Sequence, residues 1–349
     1  MIHSLCFSEL VSLEDSPAYR IQGENNTKVR LLQSYGLPYA YSKSALDLYE
    51  TIPYGVPYTV LQAPDLSRLP RLTFLTLMLS RACDDSLRMT VRNSTCGSQH
   101  EEGFHIVFVM ARSCSVCDDR VREENARYRD ILQLDHVDSY HNITLSVLHA
   151  FHFVHDMRLP VRYVLKTDSD CVVNYALLRR YARFVSRRRD DVYMGNCKRD
   201  MAFNTLDPTK KNFIPNSLVG TEKRYSYYAT GGGYLVSYSL LPRLLVGASH
   251  LRFIGHFEDV NVGRAMKLVG VECLGLTRRW IARYGCPTRE ECLKYVIMHP
   301  QRSAEEVVRF YSYLSFRVCC SDILCLSPFV REFECCSRMN LVECASFLK

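Results

Sequence analysis

The chain is poor in the features that would mark a membrane-spanning, nucleic-acid-binding or disordered protein. It holds one tryptophan in 349 residues. Its longest apolar stretch, Leu69 to Leu79, is interrupted by Arg71 and falls far short of the roughly 20 residues a membrane helix needs. The first twenty residues contain no apolar run of signal-peptide length and carry Glu9, Glu14 and Asp15. Charge of one sign is also scarce: the formal net charge is +7, and no Lys/Arg stripe with interleaved aromatics appears, which excludes a dedicated nucleic-acid binder. Mild basicity suits an anionic small molecule instead. Hydrophobic residues at 47% and charged residues at 23% argue against wholesale disorder.

What is abundant is cysteine. Sixteen are present, six of them after residue 318, and a long cytosolic chain seldom carries so many without metal-ligand spacing. Sequons begin at Asn25, Asn93 and Asn142, so a secretory-pathway protein is expected, with Asn142 and Asn25 as glycosylation sites and no assignment at Asn93. Without a leader to direct it there, an incomplete amino terminus is the preferred reading. Cys114 and Cys117 are expected as a loop disulfide or free thiols, because no second pair gives zinc-finger spacing.

Residues 1–65, rich in Tyr, Pro and Ser, read as an irregular stem or linker. From residue 66 to 314 short apolar runs alternate with amphipathic segments. LTFLTLML (72–79), HIVFVMA (105–111) and YVLKTD (163–168) read as buried strands. Residues 141–157 and 175–189 have helical spacing, the second with a basic outer face. Such alternation implies an α/β domain with a mostly parallel sheet and ligands at its carboxyl edge. Residues 315–349 form a Cys-rich tail. His149, His152 and His155 share a helix face and read as satisfied histidines. Arg187 to Arg189 read as a solvated turn.

Four segments carry chemistry. In YVLKTDSD (163–170) a buried strand runs into Asp168 and Asp170, whose i, i+2 spacing presents two carboxylates to one hard cation. In ATGGGYLVS (229–237), Gly231, Gly232 and Gly233 allow close approach of backbone to a ligand, or else form a tight strand-to-helix loop. In HFEDVNVGRAM (256–266), Glu258 and Asp259 are either helix-capping acids or hold a general base. In VIMHPQRSAEEV (296–307), His299 precedes a helix and is a ligand or a turn residue.

In this order and spacing, the four segments, with ILQLDHVDSYHNITLSVL (131–148), resemble glycosyltransferase family 31, the β-1,3-hexosyltransferases, over about two thirds of the chain. The resemblance implies a GT-A fold, a Mn²⁺ cofactor, a UDP-sugar donor and inversion at the anomeric carbon. It implies Asp170, Asp168 and His299 as metal residues, Asp259 as the base taking the acceptor proton, and Glu258 beside it orienting the acceptor. Arg88, Arg92, Lys166, Asp168, Gly231, Gly232 and Gly233 would contact the nucleotide-sugar. Two departures stand out: Ser169 replaces the middle acid of the family's triplet, and Cys96 follows Thr95 where the family has tryptophan.

The resemblance further implies a lumenal Golgi enzyme of type II membrane topology. It would transfer galactose from UDP-galactose to the 3-hydroxyl of an acceptor on a glycoprotein, proteoglycan or glycolipid, with no nucleic-acid partner. Within the family the carboxyl half is most similar to the glycosaminoglycan linkage-region enzyme. The alternatives are an N-acetylgalactosaminyl- or N-acetylglucosaminyltransferase, or a non-catalytic GT-A domain kept as a glycan-binding or chaperone protein. A secreted disulfide-rich binding protein is a further alternative, opposed by the buried strand that ends in two aspartates.

Overall fold

The computed structural model describes residues 58–67, 69, 72–95, 99, 103–199, 201–203, 224–225, 227–251, 257–283 and 285–314. The Cys-rich tail and Asn25 lie outside these residues.

Seven strands form the main sheet. Four are parallel: β2 (Leu72–Leu79), β3 (Phe104–Arg112), β4 (Ile131–Val137) and β5 (Val161–Asp168). β1 (Val60–Gln62) closes one edge antiparallel to β4. On the other side β8 (Tyr228–Ser237) runs antiparallel to β5, and β7 (Tyr193–Lys198) runs antiparallel to β8. The order is β1-β4-β3-β2-β5-β8-β7. A smaller sheet joins β6 (Val172–Val173), β10 (Ile297–His299) and β9 (Ile281–Arg283), with β9 and β10 parallel. This mostly parallel, helix-flanked α/β architecture is the expected fold class.

The three strands read from apolar runs are present, because runs buried on both faces need no polar alternation. Successive side chains point to opposite faces, which splits the core in two. Phe74 and Met78 of β2 join Phe104, Ile106 and Phe108 of β3 on one face. Helices α1 (Asp85–Thr95), α4 (Tyr175–Ser186) and α8 (Ala304–Tyr313) cover it through Val91, Leu178 and Phe310. Leu75, Leu77 and Val109 face the other way, under α3 (Ile143–Asp156), α5 (Leu241–Ser249) and α6 (Glu258–Leu268). Each fully buried Leu or Phe of these layers stabilises the domain by about 1.5–3 kcal/mol. α2 (Ser115–Tyr128), which links β3 to β4, adds Cys117 and Val121 to the first of these layers, and the single turn α7 (Arg289–Cys292) lies between β9 and β10.

Two boundaries differ from the sequence reading. The expected stem, 1–65, ends too late: Val60–Gln62 is a strand of the sheet, and Asp135 N donates to Thr59 O at 2.8 Å. The glycine run is no loop either. It lies inside β8, in register with β5 as Lys166↔Tyr234 and Thr167↔Gly233.

Two further expectations are corrected. Cys114 and Cys117 are both disulfide-bonded, one of the two states expected, but Cys117 pairs outside its loop, with Cys83; Cys197–Cys273 and Cys286–Cys292 are also paired, and Cys171 is the one free cysteine of the described residues. Asn142 is buried and its Nδ2 donates to Val137 O at 2.9 Å, so its amide is used inside the fold and offers no surface for a glycan. On α3, His152 and His155 face Asp156, while His149 packs against Tyr58 and His136 with its Nδ1 buried and without a hydrogen-bond partner. Among the described residues no helix is long and apolar enough to cross a membrane.

Candidate active site

The carboxyl end of β5 meets the middle of β8, the amino terminus of α6 and the end of β10. Period-two alternation puts Lys166 on the face covered by α6, and there it is fully enclosed, 1% exposed. Its ammonium has three protons, and three acceptors lie in reach: Gly231 O at 2.7 Å, Asp168 Oδ1 at 2.8 Å and Glu258 Oε2 at 3.1 Å. Burial works against the charged lysine, but Asp168 and Glu258 outweigh it and hold it protonated. Lys166 therefore binds the site together from within and has no donor left for a nucleotide-sugar.

Glu258 is locked in the same way. Its second oxygen accepts from the Tyr234 hydroxyl at 2.5 Å, and it is 4% exposed. Burial pushes its carboxyl up to about 7, with Lys166 opposing. Enclosed by Lys166 and Tyr234, it has no face toward an acceptor, so the expected role of orienting one is corrected to positioning Lys166 and β8.

Asp259, one residue on, is half-buried. Oδ2 accepts from Gly231 N at 2.9 Å and Oδ1 from its own helix at Val260 N, 2.9 Å. Burial raises its carboxyl, opposed by the hydrogen bond from Gly231 and by Lys166. It is the carboxylate of this pair with remaining lone pairs and access.

The glycines explain themselves by what stands where a Cβ would be. A Cβ on Gly231 would lie 3.3 Å from Glu258 Oε2, and one on Gly232 would lie 3.1 Å from His299 Nδ1. The close approach is thus to the site's own side chains. Their carbonyls are used as well: Gly232 O accepts from Thr167 Oγ1 at 3.0 Å, and Gly233 O accepts from Trp280 Nε1 at 2.9 Å. Trp280, Tyr234 and Thr167 were not singled out from the sequence. Tyr234 stood inside the quoted glycine motif, and the solitary tryptophan was the visible signal for Trp280.

Asp168, Asp170, Cys171 and His299 each turn one ligand atom into a group whose members lie within 4.8 Å of one another. His299 Nε2 stands 3.7 Å from Asp170 Oδ2. Burial raises the Asp170 carboxyl, and the neighbouring Asp168 adds to this. Two carboxylates and an imidazole are a donor set that fits a divalent cation such as Mn²⁺. Ser169 is buried, its N–H bonded to Leu79 O at 2.8 Å, and lies outside this group.

Arg88 and Arg92 are not brought to the site as nucleotide contacts. Arg88 is completely buried and forms a two-pronged pair with Glu124, Nε–Oε1 at 2.9 Å, while its remaining donors meet Ser80 Oγ and the carbonyls of Arg81 and Ala82. Arg92 grips Asp130 at 2.7 and 2.8 Å and Glu124 at 2.6 Å, stacked between Phe108 and Tyr128. Burial alone would raise Glu124, but the two guanidiniums outweigh it and hold it below the usual carboxylate range. The pair is a structural clamp between α1 and α2.

The chain is similar to known proteins over much of its length. The family described as galactosyltransferase matches residues 86–276, more than half of the chain. Beta-1,3-galactosyltransferase 1 of Mus musculus and of Homo sapiens are each 28% identical over 257 residues, 69% of this chain and 74% of theirs. Beta-1,3-galactosyltransferase 2 of Mus musculus is 26% identical over 196 residues, 56% of this chain and 46% of that protein. Among solved structures, the galactosyltransferase LgtC with donor and acceptor sugar analogs aligns with a TM-score of 0.38 at 9% identity, covering 71% of this chain and 98% of that chain. Mouse xyloside xylosyltransferase 1 aligns with a TM-score of 0.33 at 11% identity, covering 66% and 98%. With the family matched over residues 86–276, from α1 through β3 to β8 and α6, the chain belongs to the galactosyltransferase family and is a glycosyltransferase.

Proposed function

We propose that the protein is a lumenal Golgi β-1,3-galactosyltransferase that uses UDP-galactose and Mn²⁺, inverts the anomeric centre, and takes the galactose-xylose end of a proteoglycan linkage region as acceptor. The observation that carries this reading is the separation of two carboxylate sets by the Lys166 bridge. On one side Asp259 is the accessible carboxylate at the amino terminus of α6, and on the other Asp168, Asp170 and His299 converge.

Displacement at an anomeric carbon needs a base for the attacking hydroxyl and a sink for the charge left on the diphosphate, in different groups. Asp259 serves the first need. Its Oδ2 is fixed by Gly231 N, so it takes the 3-hydroxyl proton from one orientation. Asp168, Asp170 and His299 would hold the cation, which supplies charge neutralisation to the leaving diphosphate. Lys166 keeps Asp168 and Glu258 at fixed separation, and Tyr234 anchors Glu258 so that α6 holds its angle. The proposal of UDP-galactose over UDP-N-acetylhexosamine rests on the named relatives and on the similarity of YYATGGGYLVS to the linkage-region enzyme.

The test is UDP release from UDP-galactose with Mn²⁺ and a galactose-xylose acceptor, for wild type and Asp259→Asn. The expected result is acceptor-dependent turnover that falls by roughly 10²–10⁴ in the variant, with Mn²⁺-dependent UDP binding retained. Turnover with UDP-N-acetylgalactosamine alone would move the donor assignment. UDP binding without turnover on any acceptor would favour a non-catalytic role.

A further inference from the structure

We propose that the exposed face of α4 is a docking surface for an acidic segment of a polypeptide, with Arg180, Arg183, Arg187 and Phe184 as its contacts. The docking is independent of turnover, and only its assignment to the polypeptide that carries the acceptor sugar rests on the function proposed above.

One side of α4 is committed to the fold: Tyr175, Leu178, Ala182 and Val185 are buried in the first core layer. On the opposite side Arg180, Arg183, Phe184, Arg187 and Arg188 follow one another at i, i+3, i+4, i+7 and i+8. They form a single stripe, and all five are exposed. Arg187 and Arg188 carry the stripe past the helix end, through the turn in which Arg188 N donates to Val185 O at 2.9 Å. Phe184 is 51% exposed, and the Arg188 guanidinium lies over its ring, 4.1 Å from the centroid.

Folding does not account for this stripe. Among the described residues, Arg180, Arg183 and Arg187 enter no ion pair and no side-chain hydrogen bond. From Tyr175 to Ser186 the helix carries no acid. Of the two acids after it, Asp191 is paired with Arg243, and Asp190 bridges to none of these arginines. Like charges three and four residues apart repel along a helix. The helix dipole favours cations in the last turn, which covers Arg183 and Arg187, yet Arg180 stands mid-helix. An anionic partner supplies the missing counter-charge, and a carboxylate meets a guanidinium through two parallel hydrogen bonds.

The place of the stripe in the fold selects the kind of anion. The Tyr163 hydroxyl donates to Ala182 O at 3.5 Å, which sets the middle of α4 beside the start of β5. Asp168 lies at the far end of that strand, about 17 Å away at roughly 3.3 Å per residue. A sugar or diphosphate held at the metal group does not reach the stripe, whereas about five residues of extended chain span that distance. A lipid surface needs an apolar helix face to bury, and that of α4 is already packed in the core. A polypeptide offers carboxylates for the guanidiniums together with an apolar side chain for Phe184, along the about 12 Å from Arg180 to Arg188.

Fluorescence anisotropy of a fluorescein-labelled, glutamate-rich peptide containing one leucine tests the surface. The proteins compared are wild type, Arg180→Gln/Arg183→Gln/Arg187→Gln, Phe184→Gln and Arg120→Gln/Arg122→Gln/Arg127→Gln. The last removes the same charge from exposed arginines of α2, and glutamine keeps helix propensity in both triple variants. The expected result is affinity weakened roughly tenfold by the α4 triple variant, roughly threefold by Phe184→Gln and unchanged by the α2 control, with wild-type binding falling as salt rises. An equal loss in the two triple variants, or none in either, overturns the stripe. Tighter wild-type binding of a sulfated glycan or of phosphatidylserine vesicles, lost in the α4 variant, overturns the peptide as its occupant. In turnover, KM for galactose-xylose carried on the peptide should rise about tenfold in the α4 variant, with kcat and the free saccharide's KM unchanged. Equal KM values for the peptide-borne acceptor overturn the assignment to the acceptor's polypeptide. A wild type without turnover refutes the functional reading, and the binding arms still decide the surface.

Discussion

Replacing Lys166 by methionine removes the cation between two carboxylates while keeping the volume of its stem. The ammonium lies 2.7 Å from Gly231 O, 2.8 Å from Asp168 Oδ1 and 3.1 Å from Glu258 Oε2, all in a nearly solvent-free setting. Removing one partner of a buried pair typically costs about 3–5 kcal/mol, because the other charge stays behind. Here Glu258 has an escape. Burial already raises its carboxyl to about 7, against the pull of Lys166, so without the lysine it takes up a proton at neutral pH. The expected loss is therefore near the lower end, about 3 kcal/mol, and it depends on pH. The folded variant holds its Glu258 proton more tightly than the unfolded chain does, so stability falls as pH rises from the ordinary glutamate range through the raised value. Urea unfolding at pH 6 and pH 8 measures this, with Lys166→Met/Glu258→Gln as the compensated variant. The loss should be larger at pH 8, and the double variant should recover about 2 kcal/mol of it. A loss below about 1 kcal/mol at pH 8, or strictly additive single effects, would refute the view of Lys166 as the site's internal clamp.

The buried histidines give an opposite pH signature. Burial pushes His136 down to about 4, with Arg112 adding, and pushes His149 down to about 4, with His136 and His152 adding. The unfolded chain binds these protons first, so the stability they confer is complete above about 6.5 and is lost as pH falls toward 4. Denaturation at pH 7.5 and pH 5 should show wild type losing about 2 kcal/mol more than His149→Phe across that interval, and equal slopes would contradict it. At Gly232 a Cβ would press on His299 Nδ1 at 3.1 Å. Gly232→Ala should weaken Mn²⁺ binding roughly tenfold while changing stability by less than about 1 kcal/mol, and titration showing unaltered metal affinity would separate His299 from the metal group.

Strands buried on both faces were legible because their signal is local. LTFLTLML coincides with β2, and 141–157 and 175–189 bracket α3 and α4, the latter stopping at Ser186 before the arginine run. The misreadings share a cause: each depends on residues distant in the chain. Glycine has low strand propensity, so 231–233 read as a loop, yet β8 is glycine-rich because Glu258, His299 and Ile297 occupy the space where side chains would go. The arginines at 88 and 92 match a nucleotide motif, but Glu124 and Asp130, more than thirty residues on, decide their use. Val60–Gln62 was hidden in an irregular segment because three residues give no periodicity, and only pairing with β4 makes them a strand.

Glu258 and Asp259 show the limit most sharply. They are adjacent, both acidic, both in the first turn of α6, where the helix dipole favours carboxylates. Nothing local separates them. One residue of helix turns a side chain by about 100°, and that rotation sends Glu258 beneath the sheet to Tyr234 and Lys166 and leaves Asp259 above Gly231. The buried acid gains two tight side-chain partners and loses access, while the half-buried one keeps access and is steadied by two backbone N–H groups. A carboxylate that must receive a proton from a substrate has to be reachable, which is why the base is proposed at Asp259 and not at Glu258. Position 258 then accounts for why a lysine buried beside two acids is tolerated: it completes the charge balance that keeps β5, β8 and α6 together under the reacting groups.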